Sequence, residues 1–473
     1  MITYQDFLAV PADNEAARAE FVKKVINNHK DSPAYRTAKT AEEYDCCRNT
    51  TIMQYQRMIT TVTGQKVPDN QNAMHRSTSN FFNIFTTQLN QYLLGNGVIW
   101  KGDAEKALGT DFDTRLQEIG KSALVDGQAF GYFNLDHVEV FKLTNFAPLY
   151  DEVDGALAAG VRFWQIDETK PLRATLYEMD GVTNYLWITK DRTANLDAKW
   201  RTVAQDTYVM DRVPYKMTKV TTEADGVELY KGENYPEFPI VPMWGNPHHQ
   251  SELVGMQEKI DAYDFILNGF EDDLDNAELY WIIKGAGGMD DVDLRDFLRR
   301  LRNVKAAAPA DGQEVEAVSV EIPYEARERL LDRLEKQLYR DAMIMNPDDL
   351  ASGAATATQI RAAYERQNVK ADQFEYCVIE FITGILRIAG VEDEPTFTRS
   401  TIVNVQEEVQ TVVLAAAHLG REYTTRKILT LLGDGDQADE IIKQVDAENM
   451  DRLGSITGDE DEETGNGGAG EEA

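Results

Sequence analysis

The chain has 473 residues, 42% of them apolar and 27% charged, enough to bury a sizeable core in roughly three structural units. Its formal charge is −33, of which the last fifteen residues supply only the seven charges of Asp459, Glu460, Asp461, Glu462, Glu463, Glu471 and Glu472; so negative a surface excludes ordinary tight binding of DNA or RNA. No run reaches the ~18 apolar residues of a membrane helix, the first fifteen residues lack a secretory pattern, and Cys46, Cys47 and Cys377 make no disulfide framework, so a soluble, multi-domain protein made inside a cell is expected.

Along the chain, Phe21, Val22, Val25 and Ile26 predict a helix over 14–30, capped by Asn14 and stopped by Pro33. A second helix is predicted over 79–94, where Phe82, Phe85, Leu89 and Tyr92 or Leu93 recur at helical spacing before Gly95, and a third over 111–125. From 128 to 241 the pattern changes to short β-rich runs at 129–133, 138–143, 160–166, 174–179 and 185–189, with Asp180-Gly181 as a hairpin turn. Pro236, Pro239, Pro242 and Pro247 close this antiparallel segment.

The chain then turns helical again. Leu253, Met256, Ile260, Tyr263, Leu267, Phe270 and Leu274 step alternately by three and four residues, predicting a heptad-like seam on a helix over 251–280. Glu252, Glu258, Asp261, Asp264, Glu271, Asp272, Asp273, Asp275 and Glu278 stand against Lys259 on it, and this acidic face is read as turned to water. A glycine-containing loop at 285–288, a short helix over 293–302 and a strand through Val315, Ala317, Ser319 and Glu321 follow. A second long helix is predicted over 324–345, with Leu331, Leu334, Leu338, Ala342 and Met345 on one side, until Pro347 breaks it. After a small-residue loop at 346–355, Thr356 and Gln359 form a capping box for a third long helix. Its stripe is Phe374, Val378, Phe381, Ile385 and Ile388, and Gly390 ends it. Helices over 403–419, 424–432 and 436–449 precede a Gly-and-acid tail, 453–473, whose composition predicts disorder. The fold class is α+β.

Signals for catalysis are weak. There is no G-x-x-x-x-G-K-[ST], no G-x-S-x-G, and Gly285-Ala286-Gly287-Gly288 lacks dinucleotide-turn spacing. The run Glu271, Asp272, Asp273, Asp275 and Glu278 has the composition of a two-metal phosphoryl-transfer site. On one helix, however, only Glu271, Asp275 and Glu278 share a face. Asp434, Asp436 and Asp439 fail the calcium-loop pattern. His248-His249 reads as a turn, and Cys46-Cys47 as core thiols rather than as nucleophiles paired with His75. No cofactor, metal or enzymatic activity is expected.

The long-helix architecture is more informative. Residues 81–98 (FFNIFTTQLNQYLLGNGV), 238–246 (FPIVPMWGN) leading into Leu253 to Leu267, and 346–359 (NPDDLASGAATATQ) occur in order around a helix–insertion–helix plan. In that order they resemble the portal proteins of tailed double-stranded DNA phages, in the subgroup common in siphoviruses of Gram-positive hosts. The resemblance implies a portal fold assembled as a ring, usually of twelve subunits, at one capsid vertex. Genome DNA is pumped through that ring by the terminase and later ejected. By position, 1–250 is wing, 251–280 the first stem helix, 281–323 clip and 324–345 the second stem helix. Residues 346–355 are the tunnel loop, 356–395 a long wing helix and 396–452 crown.

The sites implied are three. Asn346, Pro347, Asp348, Asp349, Leu350, Ala351, Ser352 and Gly353 would line the DNA channel. Arg295, Arg299, Arg300, Arg302 and Lys305 would form the clip surface for partners, and the seam from Leu253 to Leu274 would pack stems in the oligomer. The partners implied are further copies of the chain, the terminase large subunit, a head–tail adaptor, the major capsid and scaffolding proteins, and moving DNA that is not tightly bound. The location implied is the virion, after synthesis in the host cytoplasm, with no membrane. A different virion structural protein and a metal-dependent phosphoryl-transfer enzyme are the alternatives.

Overall fold

The computed structural model describes residues 2–60, 64–69, 74–188, 198–222, 228–275, 280–284, 314–318, 324–350, 357–400, 405–416, 418–433 and 438–445. They form two compact units, Met1–Ile344 with Gln367–Ser400, and Met345–Arg366 with Thr401–Ala473.

The first unit is built in layers. Asn14 accepts a hydrogen bond from the Ala17 N–H and opens the helix Glu15–Lys30, whose Val22, Val25 and Ile26 are buried. With Phe7 from a short preceding helix, they cover one face of a six-stranded antiparallel sheet through Leu149, Val161, Leu176 and Tyr185. The sheet runs in the order Trp200–Ala204, Thr207–Met210, Gly181–Trp187, Leu172–Glu178, Leu157–Trp164, Phe146–Tyr150. Side chains alternate across a strand, so Phe146 and Tyr177 point to the opposite face. There they meet Phe130, Tyr132 and Phe141 of a three-stranded sheet, Ile240–Trp244, Gln128–Asn134 and His137–Lys142, at ring separations of 4.5 to 5.6 Å.

Two glycines set how closely these layers approach. A Cβ on Gly160 would lie 2.0 Å from the Phe146 ring, and one on Gly131 would lie 2.5 Å from the ring of Phe381. Phe381 belongs to the long helix Ala357–Ala389, whose Phe374, Val378 and Ile385 are buried with it. The helices Phe81–Leu94 and Phe112–Asp126 complete the layer, with Phe82, Leu89, Leu93, Leu116 and Ile119 in the core. No helix among the described residues is long and apolar enough to cross a membrane.

The predicted helices over 79–94 and 111–125 and the five predicted strands are present within a few residues of their expected positions. Others differ for local reasons. Pro33 starts a helix rather than stopping one: Ser32 caps Pro33–Asp45, and proline suits the first turn, where its missing N–H costs nothing. The hairpin turn is Met179-Asp180, because Gly181 already pairs with Glu178. The helix expected over 251–280 spans Gln257–Asp275. Ser251 accepts from the Leu253 N–H, and Gly255, at φ 81°, holds a left-handed turn that a helix cannot include. The second long helix ends at Ala342, before Pro347, because Met343 is left-handed at φ 58° and the Ile344 N–H turns back to Tyr339 O. Cys46 and Cys47 are exposed rather than core thiols. His248-His249 does form a turn, with His249 stacked 3.7 Å from the Trp244 ring.

In the second unit, Pro347–Leu350 forms one 3-10 turn, and the helices Val405–Ala415 and Arg421–Leu432 are followed by helical residues 438–445. Residues 353–356, 434–437 and 446–473 lie outside the described residues, so the tail, the Thr356 cap and the acids at 434 and 436 carry no structural account.

Candidate functional site

The helix Gln257–Asp275 carries Asp264, Asn268 and Asp272 at steps of four, a spacing that puts them on one face. That face is buried: Asp264 is 0%, Asn268 6% and Asp272 3% exposed. The chain from 75 to 79 lies along it and donates a backbone N–H at every second residue. Ser79 N–H reaches Asp264 at 3.0 Å, Ser77 N–H reaches Asn268 at 2.6 Å, and His75 N–H reaches Asp272 at 2.7 Å. Two residues of extended chain advance ~6.6 Å and four residues of helix ~6 Å, so the two periods match over the two steps between the three rungs. The rungs descend one element while climbing the other, and the strap runs antiparallel to the helix.

Side chains complete this ladder. Asn268 returns a hydrogen bond to Ser77 O at 2.8 Å, Ser77 Oγ donates to Glu271 at 2.8 Å, and Asn49 donates its amide to Asp264. Asp272 is closed by the Arg57 guanidinium at 2.5 Å and by His75 Nδ1 at 2.9 Å. Burial raises the Asp264 carboxyl above the ordinary carboxylate range, against the opposing pull of Asn49 and Ser79. One helical turn earlier, Asp261 accepts from Tyr44 OH at 2.5 Å.

The helix Tyr324–Ala342 lies antiparallel beside Gln257–Asp275. Lys259 pairs with Asp341 at 3.0 Å, and Arg327 pairs with Asp273 and donates to Gly269 O at 3.2 Å. The two helices rest on Phe81 and Phe85 through Tyr263 and Tyr339, with rings 5.0 and 5.1 Å apart. Lys370 ties down the other end: its ammonium is 2.6 Å from Glu252 and 2.8 Å from Ala342 O, one of the carbonyls a helix terminus leaves free. Beyond the helices, Tyr280–Lys284 pairs with Glu314–Val318 as an antiparallel two-stranded ribbon.

The acidic face expected to look into water is therefore mostly spent inside the chain. Of its nine acids, Glu252, Asp261, Asp264, Glu271, Asp272 and Asp273 each hold a hydrogen bond or ion pair, and Glu258 is exposed. Asp272 and Asp273 diverge, one to the strap and one to Arg327. Arg57, His75, Ser77, Ser79 and Asn49 were not expected as partners. The signal that points to them is a polar i, i+4, i+8 series inside an otherwise amphipathic helix.

The seam residues are divided. Leu253, Met256 and Ile260 are buried in the chain's own core, Tyr263, Leu267 and Phe270 are half-buried, and Leu274 is 54% exposed. In the loop, Asn346 is buried and its Oδ1 accepts from the Asp348 N–H at 3.1 Å, while Pro347 and Asp348 are exposed. Asp349 and Leu350 continue the same 3-10 turn, and Ala351, Ser352 and Gly353 lie outside the described residues. Arg295, Arg299, Arg300, Arg302 and Lys305 also lie outside them.

Comparison with known proteins gives one family. The family described as "Phage portal protein, SPP1 Gp6-like" matches residues 14–451. The portal protein of Bacillus phage SPP1 is 24% identical over 432 residues, 83% of this chain and 79% of its own length. The portal protein of Clostridium phage phiCD119 is 23% identical over 362 residues, 71% of this chain and 77% of its own. Among solved structures, a chain from the virion of a native gene transfer agent particle covers 74% of this chain and 87% of its own at TM-score 0.40 and 12% identity. A chain from the neck of the same native particle, computed with C12 symmetry, covers 73% and 89% at TM-score 0.40 and 11% identity. Both structural likenesses are loose.

Proposed function

The chain belongs to the SPP1 Gp6-like family of phage portal proteins and is a portal protein of the virion; from that premise we propose that about twelve copies close into a ring at one capsid vertex, through which the terminase drives DNA inward and from which the genome leaves. The observation that carries the reading is the family match across 14–451. The antiparallel helix pair Gln257–Asp275 and Tyr324–Ala342, extended by a two-stranded ribbon, supports it as a stem that carries a clip. In this assignment 1–250 and 356–395 build the wing, 281–323 the clip and 396–452 the crown. The clip meets the terminase large subunit during packaging and the head–tail adaptor afterwards, through Arg295, Arg299, Arg300, Arg302 and Lys305. The capsid and scaffolding proteins surround the ring, and the chain is synthesised in the host cytoplasm.

A channel must pass a polyanion without gripping it. A chain of charge −33 does so by repulsion, since duplex DNA presents one phosphate per ~1.7 Å. With most of the stem acids spent internally, the proposed source of this repulsion at the loop is Asp348 and Asp349. The test is complementation in an infection lacking the native gene, in which the wild-type chain restores nuclease-protected genome per capsid. The Asp348→Lys/Asp349→Lys variant is expected to form rings by electron microscopy and to protect little genome. Full packaging by that variant with intact rings removes this loop from the channel. Failure of the wild-type chain to complement removes the function.

A further inference from the structure

The chain crosses the boundary of the first unit at three places: after Ile344, at Gln367 within the long helix Ala357–Ala389, and after Ser400. One short stretch of that helix, 368–375, lies at the second crossing and bonds to the other two. Asn368 Oδ1 accepts from Tyr92 OH at 2.5 Å, and the Asn368 backbone carbonyl accepts from Arg399 at 3.3 Å, beside the third crossing. Arg399 also pairs with Asp372 at 2.7 Å and with Glu375, while the Ser400 N–H reaches Tyr92 O at 2.9 Å. Lys370 serves the first crossing: besides Glu252 it holds Ala342 O, two residues before Ile344. These groups are shielded from water, with Tyr92 3% exposed and the Lys370 and Glu252 side chains 16 and 19%. Tyr92 stands seven residues after Phe85 on the helix Phe81–Leu94, and Phe85 seats Tyr339 of the helix Tyr324–Ala342. Apolar contact is non-directional, whereas hydrogen bonds to charged groups are directional. Polar bonds at all three crossings therefore fix register as well as proximity.

We propose that residues 368–375 act as a joint, in which Asn368, Lys370 and Arg399 are positioning residues. Together they fix how the loop segment 345–366 and the C-terminal segment from 401 depart from the first unit. A pull on either segment while DNA passes is then taken up at the base of the helix pair Gln257–Asp275 and Tyr324–Ala342, through Lys370 and Tyr339. The inference rests on the portal reading and deepens it, by naming the residues that hold the loop in place.

The test is amide hydrogen exchange in the full chain. Lys370→Met removes the ammonium, and exchange over 340–345 should rise about tenfold. If the contacts act as one joint, exchange over 396–400, where Lys370 makes no bond among the described residues, rises with it, while the sheet amides of 157–187 stay unchanged. Lys370→Arg keeps the charge and the donors and should restore both segments. Tyr92→Phe removes one hydroxyl at the far side of the joint and should loosen the same two segments, so the outcome does not hang on the folding of one variant. In the complementation assay Lys370→Met should form rings yet protect several-fold less genome, and Lys370→Arg should recover it. A rise confined to 340–345, or spread evenly over the sheet, overturns the joint. Full packaging by Lys370→Met with intact rings overturns its role in DNA passage. A wild-type chain that fails to complement overturns the portal reading, and the exchange pattern still decides the joint.

Discussion

Asp264→Ala is expected to destabilise the chain by roughly 3 kcal/mol, because it strands the Ser79 N–H and one N–H of the Asn49 amide, whose nitrogen also donates to Ser79 O, in a buried site. Each buried donor left without an acceptor costs about 1–3 kcal/mol. Part of that cost is offset, since burial already disfavours the Asp264 charge. Asp264→Asn keeps one acceptor oxygen in nearly the same volume and should lose only about half as much. Urea midpoints of the two variants measure the difference. A loss under about 0.5 kcal/mol for the alanine variant would mean that the strap from 75 to 79 does not hold the helix.

The second large effect is electrostatic and of opposite sign. Asp126 is 4% exposed at the C-terminal end of the helix Phe112–Asp126, where the helix dipole disfavours a carboxylate, and neither of its oxygens has a hydrogen bond of good geometry among the described residues, the Leu143 N–H giving only a weak contact. Burial, reinforced by Glu42, pushes its carboxyl up to about 8, with Lys142 and Lys39 opposing. The folded chain therefore keeps this proton through neutral pH, whereas the unfolded chain releases it above about 4. Stability from this group is fully present below that lower value and is lost as pH rises toward 8. One pKa unit corresponds to ~1.36 kcal/mol, so the full span sets a ceiling near 5 kcal/mol, of which about half survives local relaxation and water entry. Asp126→Asn should therefore stabilise the chain by about 2–3 kcal/mol at pH 9 and by little at pH 4. Equal denaturation midpoints for the two proteins at pH 9 would show that Asp126 has a partner when ionised.

Much of the scaffold is legible in the residues because apolar spacing encodes it. Phe374, Val378, Phe381 and Ile385 mark the long helix, and the strands alternate between the faces of two packed sheets. The portal resemblance was carried by segments that prove structural: Phe81 and Phe85 seat the stem helices, and Ile240–Trp244 pairs with Gln128–Asn134. The polar ladder is not legible in the same way. Its strap contributes backbone N–H groups from His75, Ser77 and Ser79, and any residue but proline carries that donor. Gly255 hid the true start of the helix, since one glycine inside a periodic run is compatible with either a helix or a left-handed turn until φ is known. Pro33 was ambiguous for a related reason, because proline both ends helices and begins them, and only Ser32 before it decides.

The proposed function requires ring formation, and imaging the purified chain by negative-stain electron microscopy at micromolar concentration and moderate salt tests it most directly. Closed rings with a central channel are the predicted result, with about twelve subunits in the virion and some freedom in that number when the chain assembles alone. A population of single subunits, confirmed by light scattering at the same concentration, would contradict it.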